Sequence, residues 1–326
     1  VAAACPELPP GLVHVLVADQ LARFCWRHAL FRRLFRRWRV RAVVVLDPDG
    51  KVPEVAAAKS LGLPVVEVQH GMFGPQEPDY SWTAAHRRAA APMPVADRVV
   101  VFGPLWRSAL VGAGYWDERA VRQAASPVIG AYRRARAETY AAPAPGAPLR
   151  LLFASQGYVR DHALPFWRAA LERQGADRLF HLRIKVHPME VADRAAYDAL
   201  AAAFPDACTV VAGADAAYPE MLHADVVAGY TSLMLVEAIG FGIPAVGIRG
   251  GAAAEGLAAT FGMPELARAV EEVDGPEALL ARLRAARDDD GLAGWRERAA
   301  ALSGMVFDLD GESVETVLAT LTASPE

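Results

Sequence analysis

Short apolar runs of strand length alternate with stretches of helical periodicity through most of the 326-residue chain. The runs are Val40–Leu46, Pro64–Val68, Arg98–Phe102, Pro127–Ile129, Leu149–Ala154, His181–Val186, Cys208–Val211, Asp225–Ala228 and Ile243–Ile248. Most are continuous in Val, Ile and Leu, the pattern of strands buried on both faces of a parallel sheet. Between them the spacing predicts helices over Val52–Leu61, Pro104–Gly112, His162–Gln174, Asp193–Phe204 and Ser232–Gly240. After Gly275 the pattern is helical nearly to the end, over Pro276–Arg287, Leu292–Ser303 and Glu312–Thr322. Strands and helices in this alternation predict a doubly wound α/β architecture.

The chain is long enough for two such units, each with its own core. A Pro-rich stretch, Ala142 to Pro148, has the composition of a semi-rigid linker, and a fresh strand follows it directly. The expected division is 1–141, a linker at 142–148, and 149–326, with a cleft between two Rossmann-like sheets. Ligands of open α/β sheets lie outside the carboxyl ends of the strands. Four polar motifs fall at such ends: QHG (69–71), ASQG (154–157), KVHP (185–188) and GYTS (229–232).

The last of these opens the richest segment. A strand breaks at Gly229 into Tyr230, Thr231 and Ser232, and an apolar helix follows. Hydroxyls and free N–H groups at a helix N-terminus suit a phosphate, although the same hydroxyls also serve as plain caps. Glu237 is the one acid in that helix, where a buried carboxylate is costly without a partner and a ribose is within reach. Beyond the next strand, Gly250 and Gly251 leave space for a nucleobase or sugar, or form a flexible turn. Ser155, Gln156 and Gly157 read equally as a donor-contacting loop and as an ordinary βα turn. Lys185 and His187 fall on one side of their strand, with Val186 opposite. Two donors there would hold a diphosphate or neutralise a departing phosphate. Pro188 ends the strand, and Arg183 adds charge on the same face. His70 sits where an imidazole meets the cleft and would act as general base, oriented by Gln69; the alternative is a histidine bonded beneath its own loop. Asp47 and Asp49 also follow a strand, yet D-P-D-G is turn chemistry in its own right.

Composition narrows the function. A net charge of −4 gives no global attraction to nucleic acid. Cys5, Cys25 and Cys208 have no C-x-x-C spacing, which fits a reducing compartment without disulfides or zinc. There is no Walker loop, no G-x-G-x-x-G and no histidine pair at ligand spacing, so neither a metal nor a cofactor is expected. No apolar run approaches the roughly 18 residues of a membrane span. A cytoplasmic location is expected, and the opening Val1 suggests that upstream sequence is missing. Arg23–Arg41 carries eight arginines among Trp26, Phe31, Phe35 and Trp38. It reads as a surface helix whose aromatic stripe joins the core. The alternative is a peripheral contact with the inner membrane or a lipid-linked acceptor.

Together QHG, KVHP and GYTSLMLVEAIGFGIPAV (229–246) resemble the GT-B glycosyltransferases of bacterial surface and capsular polysaccharide or lipopolysaccharide synthesis. The nearest group by motif is the capsule and CDP-glycerol glycerophosphotransferase-like one. The HP motif and hydroxyl turn also resemble CMP-sugar enzymes, the bacterial sialyltransferases and Kdo transferases. The resemblance covers about residues 40–310. It implies a nucleotide-sugar co-substrate of CMP or UDP type, held mostly by the C-terminal domain, and a glycan or lipid-linked acceptor. His187 would contact phosphate, Ser232 belong to the hydroxyl turn, Glu237 meet the donor ribose and His70 act as base or phosphate contact. Thr231-Ser232 stands where the group has two serines, and the CDP-glycerol group's aspartate is absent, which favours a sugar over glycerol. A nucleotide-sugar 2-epimerase shares the fold, and a non-catalytic binding protein is the third reading.

Overall fold

The computed structural model describes residues 10–46, 49–74, 77, 80–88, 93–188, 190, 194–211, 213, 217–288 and 291–322. The first half holds β1 (Val43–Val45), β2 (Val65–Val68), β3 (Arg98–Val101) and β4 (Val121–Gln123). The second holds β5 (Leu149–Ala154), β6 (Phe180–Lys185), β7 (Cys208–Val211), β8 (Val226–Gly229), β9 (Ala245–Arg249) and β10 (Val270–Asp274). Helices α1 to α5 are Pro10–Arg37, Val52–Lys59, Ala84–Arg87, Pro104–Ala113 and Pro127–Thr139. Helices α6 to α9 are Arg160–Gln174, Arg194–Ala203, Ala217–His223 and Leu233–Gly240. Helices α10 to α14 are Leu257–Phe261, Leu266–Ala269, Pro276–Arg287, Gly291–Val306 and Val314–Thr322.

The strands form two all-parallel sheets, β1-β2-β3-β4 and β10-β9-β8-β5-β6-β7. The second order is that of a doubly wound dinucleotide-type sheet: the chain runs outward from β5 through β6 and β7, then restarts at β8 on the other side of β5. Two expectations are corrected. Pro127–Ile129 opens α5 rather than forming a strand, because Ser126 caps the helix through Ile129 N–H and Pro127 suits the first turn. Strands β4 and β10 escape the apolar pattern because VRQ and VEEVD are short and half polar.

The chain crosses between the sheets twice. It passes from α5 through residues 140–148 into β5, and returns beyond α13 so that α14 lies on the first sheet, with Val317 and Leu321 packed against Val66, Val68 and Val100. Arg98 donates to the Leu321 carbonyl at 2.6 Å and Ala125 N–H to the Glu312 carbonyl at 2.9 Å. Residues from both halves of the chain meet in one cluster between the sheets. It is an apolar layer in which Phe73, Trp106 and Ile129 meet Leu235, Ile239 and Phe307. Backbones touch there: a Cβ added to Gly103 would overlap the Val306 carbonyl oxygen, and one on Gly74 the Phe261 carbonyl oxygen.

Candidate functional site

In the second sheet the connections diverge between β5 and β8, which opens a crevice at the carboxyl ends of those strands. The turns that flank it are tied together. Thr231 N–H donates to Gln156 Oε1 at 3.0 Å, Gln156 Nε2 donates to Tyr158 Oη at 2.8 Å, and the Tyr158 and Thr231 hydroxyls bond each other. Ser155, buried at the end of β5, accepts from His187 N–H at 2.9 Å and donates to the buried carboxylate of Glu190. Gly157 leaves room for that acid, since a Cβ would sit 3.3 Å from Glu190 Cγ. The ASQG, VHP and GYTS segments therefore meet in one corner through hydrogen bonds. Glu190 was not singled out in the sequence, where nothing distinguishes it from a surface acid.

Ser232 is the N-cap of α9, its Oγ accepting from Met234 N–H at 3.3 Å. A helix N-terminus leaves its first N–H groups without intrahelical partners, and its dipole favours a negative charge there. Thr231 is buried and engaged with Gln156 and Tyr158. Tyr230 lies beneath the turn, 1% exposed, with its hydroxyl 2.8 Å from His162 Nδ1. Burial raises the Tyr230 phenol above its ordinary pKa, so it stays neutral. The space expected beside Gly250 and Gly251 is taken by His162: Gly250 has φ 148°, and a Cβ there would overlap the imidazole. No sequence signal other than that glycine pair pointed to His162.

The strand β6 ends at Lys185, so the alternation expected to align Lys185 with His187 does not continue. Lys185 turns inward, 4% exposed, and its ammonium donates to the Val186 carbonyl at 2.8 Å. His187 and Pro188 stand exposed past the strand end. Arg183 shares the Lys185 face but is ion-paired with Glu220 on α8, Nη2 to Oε1 at 2.7 Å. Asp47 lies outside the described residues, and Asp49 begins a short 3-10 turn, Asp49–Lys51.

Facing α9 across the cleft is the end of β2. Gln69 is buried and bonds backbone on both sides, accepting from Phe102 N–H at 2.7 Å and donating to the Gly71 carbonyl at 2.9 Å. It thus fixes the turn that presents His70, rather than gripping the imidazole. His70, Gln69 and Ser126 from the first half, with Tyr218, Leu233 and Glu237 from the second, line a cavity of about 100 Å³. Tyr218 donates its hydroxyl to Glu237 Oε1 at 2.7 Å. Burial raises the Glu237 carboxyl above its usual pKa, and the Tyr218 hydrogen bond partly offsets this. The Tyr218 phenol is itself pushed up by burial and by that acid.

The folded state therefore holds the Glu237 proton more tightly than the unfolded chain. Its burial lowers stability as pH rises from the unfolded carboxyl pKa through the raised folded one, and costs nothing below both. Glu237→Gln is expected to flatten that part of the stability-against-pH curve, because Tyr218 still has an oxygen to donate to. Denaturant titrations of both proteins across mildly acidic to neutral pH check this, and parallel curves would refute it.

No protein-family model and no curated protein matches the sequence. Solved structures do resemble it in fold. A glycosyltransferase from Rickettsia africae is 13% identical, with 91% of this chain and 80% of that one covered and a TM-score of 0.56. HepE from Anabaena, in complex with UDP, is 14% identical, with 90% and 82% covered and a TM-score of 0.53. The UDP-GlcNAc 2-epimerase from Neisseria meningitidis, bound to UDP-GlcNAc, is 12% identical, with 92% and 81% covered and a TM-score of 0.62. The fold is GT-B. At these identities the likeness concerns architecture: two Rossmann-like parallel-sheet domains with a cleft between them. Among the described residues no helix is long and apolar enough to cross a membrane.

Proposed function

We propose that the chain is a glycosyltransferase that moves a sugar from a nucleotide-activated donor, of UDP or CMP type, to a surface polysaccharide or lipid-linked glycan. The observation that carries this reading is the pairing of His70 on the first sheet with Glu237 on the second around one cavity, beside the helix whose N-cap opens at the switch point of the nucleotide-type sheet. The UDP bound to HepE and the UDP-GlcNAc bound to the Neisseria epimerase support a nucleotide-sugar ligand. In the reaction the acceptor oxygen forms a bond to the anomeric carbon while the carbon–oxygen bond to phosphate breaks. The acceptor proton passes to the His70 imidazole, and the nucleotide leaves with the electron pair. Ser232, the α9 N-terminus and the His187 side chain would meet the charge that develops on the leaving phosphate, a role a metal ion fills elsewhere. Among the described residues no group of three His, Cys, Asp or Glu side chains gathers to hold one.

A cavity of about 100 Å³ is well below the roughly 300–1,000 Å³ of ligand pockets, so donor binding requires the two sheets to part or the donor to lie along the outer crevice. A nucleotide-sugar 2-epimerase is the second reading, supported by the fold neighbour of that activity, with a TM-score of 0.62 over 92% of this chain. Unfolding temperatures with UDP, CMP, CDP and GDP test both. One nucleotide is expected to stabilise the fold by about 2.7 kcal/mol at a hundredfold excess over its dissociation constant. Conversion of the sugar nucleotide without acceptor selects the epimerase; no stabilisation by any nucleotide defeats both.

A further inference from the structure

Twelve large apolar side chains stand exposed among the described residues, and ten of them lie between Leu12 and Leu46. Most belong to α1, a 28-residue helix about 42 Å long. One face of α1 is held to the body of the protein: Arg27 pairs with buried Glu54, and Phe35 packs with Val55 and Val65. The aromatic stripe expected in the core thus splits, and Trp26 and Trp38 remain 66% and 65% exposed. The opposite face carries Leu12, Leu16, Trp26 and Leu30 with Arg23, Arg33 and Arg37 among them, all exposed and three or four residues apart once Asp19, which is paired with Arg23 at 2.7 Å, is counted in the series. That spacing places them in a single stripe along the helix. A groove of about 820 Å³ beside it is lined by Leu16, Leu21, Phe24, Trp26, Arg27 and Pro53.

The charge selects the occupant. Arg23–Arg41 carries eight arginines and no acid in a chain of net charge −4, so this segment is cationic while the rest of the chain sums to a formal −12. A second copy meeting this face with its own would bring two cationic stripes together, which like-charge repulsion disfavours. Leucine and tryptophan interleaved with arginine suit the boundary between headgroups and acyl chains, where the rings and aliphatic groups enter and the guanidinium groups meet phosphate. We propose that the outer face of α1 docks on an anionic lipid bilayer, with the helix lying in the plane of the headgroups. This stands apart from the transferase reading, because it concerns the first helix and not the cavity between the sheets.

The test uses the whole chain with vesicles of phosphatidylcholine alone and of phosphatidylcholine mixed with phosphatidylglycerol. Co-sedimentation is expected with the mixed vesicles and not with the neutral ones, weakening as salt is raised. Arg33→Glu with Arg37→Glu, and separately Trp26→Glu with Leu30→Glu, should each weaken partitioning by about tenfold or more, since one arginine at an anionic surface is worth roughly fivefold. These positions are exposed, and unchanged circular dichroism and unfolding temperature would confirm that the variants fold. Failure to sediment with anionic vesicles overturns the proposal, as do equal binding to neutral ones, variants that bind like the parent, or a vesicle-free dimer that Trp26→Glu abolishes. Sedimentation needs no sugar transfer, so failure here leaves the proposed reaction untouched.

Discussion

His70→Ala is expected to slow sugar transfer by about 10²- to 10⁴-fold, the contribution typical of a positioned general base. The side chain is exposed, and the turn that carries it is held by Gln69 through backbone bonds at 2.7 and 2.9 Å, which the substitution does not touch. Stability should therefore move by less than about 0.5 kcal/mol. The stabilisation conferred by the bound nucleotide should also persist, because the nucleotide contacts proposed for Ser232 and His187 lie on the other sheet. Transfer assays and nucleotide-dependent unfolding, run on the same variant, separate these effects. A variant that binds nucleotide and transfers at the parental rate would remove His70 from the chemistry. One that loses nucleotide binding as well would move it to the donor side.

The second large effect concerns the joint between the halves. Arg136 on α5 is 4% exposed, and its guanidinium donates to the carbonyls of Met221, Leu222 and Ala224 at 2.9, 2.7 and 2.8 Å. These acceptors lie at the end of α8, where helical carbonyls lack partners and a cation is favoured. The same guanidinium stacks 3.9 Å from the Tyr140 ring, and Tyr140 donates to the fully buried Asp225 carboxylate at 2.7 Å. Burial first, and the neighbouring Arg296 and Arg150 charges after it, lower the Arg136 pKa to about 10, so it remains a cation at neutral pH. Arg136→Ala removes the guanidinium from three carbonyls, of which Met221 keeps only a 3.3 Å bond from Ala224 N–H, and is expected to cost about 3–5 kcal/mol. Arg136→Lys should recover only part of that loss, because an ammonium lacks the planar fork that reaches several acceptors. Urea titrations of the three proteins decide it, and a loss under about 1 kcal/mol for alanine would show that the clamp is not needed.

Much of the architecture was legible in the pattern of apolar positions. Leu149–Ala154 and Cys208–Val211 are strands with the expected bounds, and Pro276–Arg287 is a helix with the expected bounds, because continuous apolar runs and capped amphipathic ones have distinct periods. The misread segment at Pro127 shows where periodicity fails. Three apolar residues carry no period, and the capping serine before them decided the outcome. Of the motifs, the strand-end position of QHG, ASQG, VHP and GYTS was readable because parallel strands end in turns on one edge. Whether each side chain serves a ligand or the fold was not. Tyr230, Thr231 and Arg183 are taken up by His162, Gln156 and Glu220, partners 68, 75 and 37 residues away along the chain, and Lys185 by the carbonyl of its neighbour Val186.

The sequence by itself determined the two α/β halves and the edge at which polar turns gather, since both follow from local periodicity and from the geometry of parallel strands. Tertiary structure alone decided that Glu237 and His70 share a cavity, that His162 fills the space beside Gly250, and that the outer face of α1 is left uncovered. Each depends on which surfaces meet after the chain has crossed between its sheets. Contacts between residues so far apart are set by the packing of whole layers, and no local pattern encodes them.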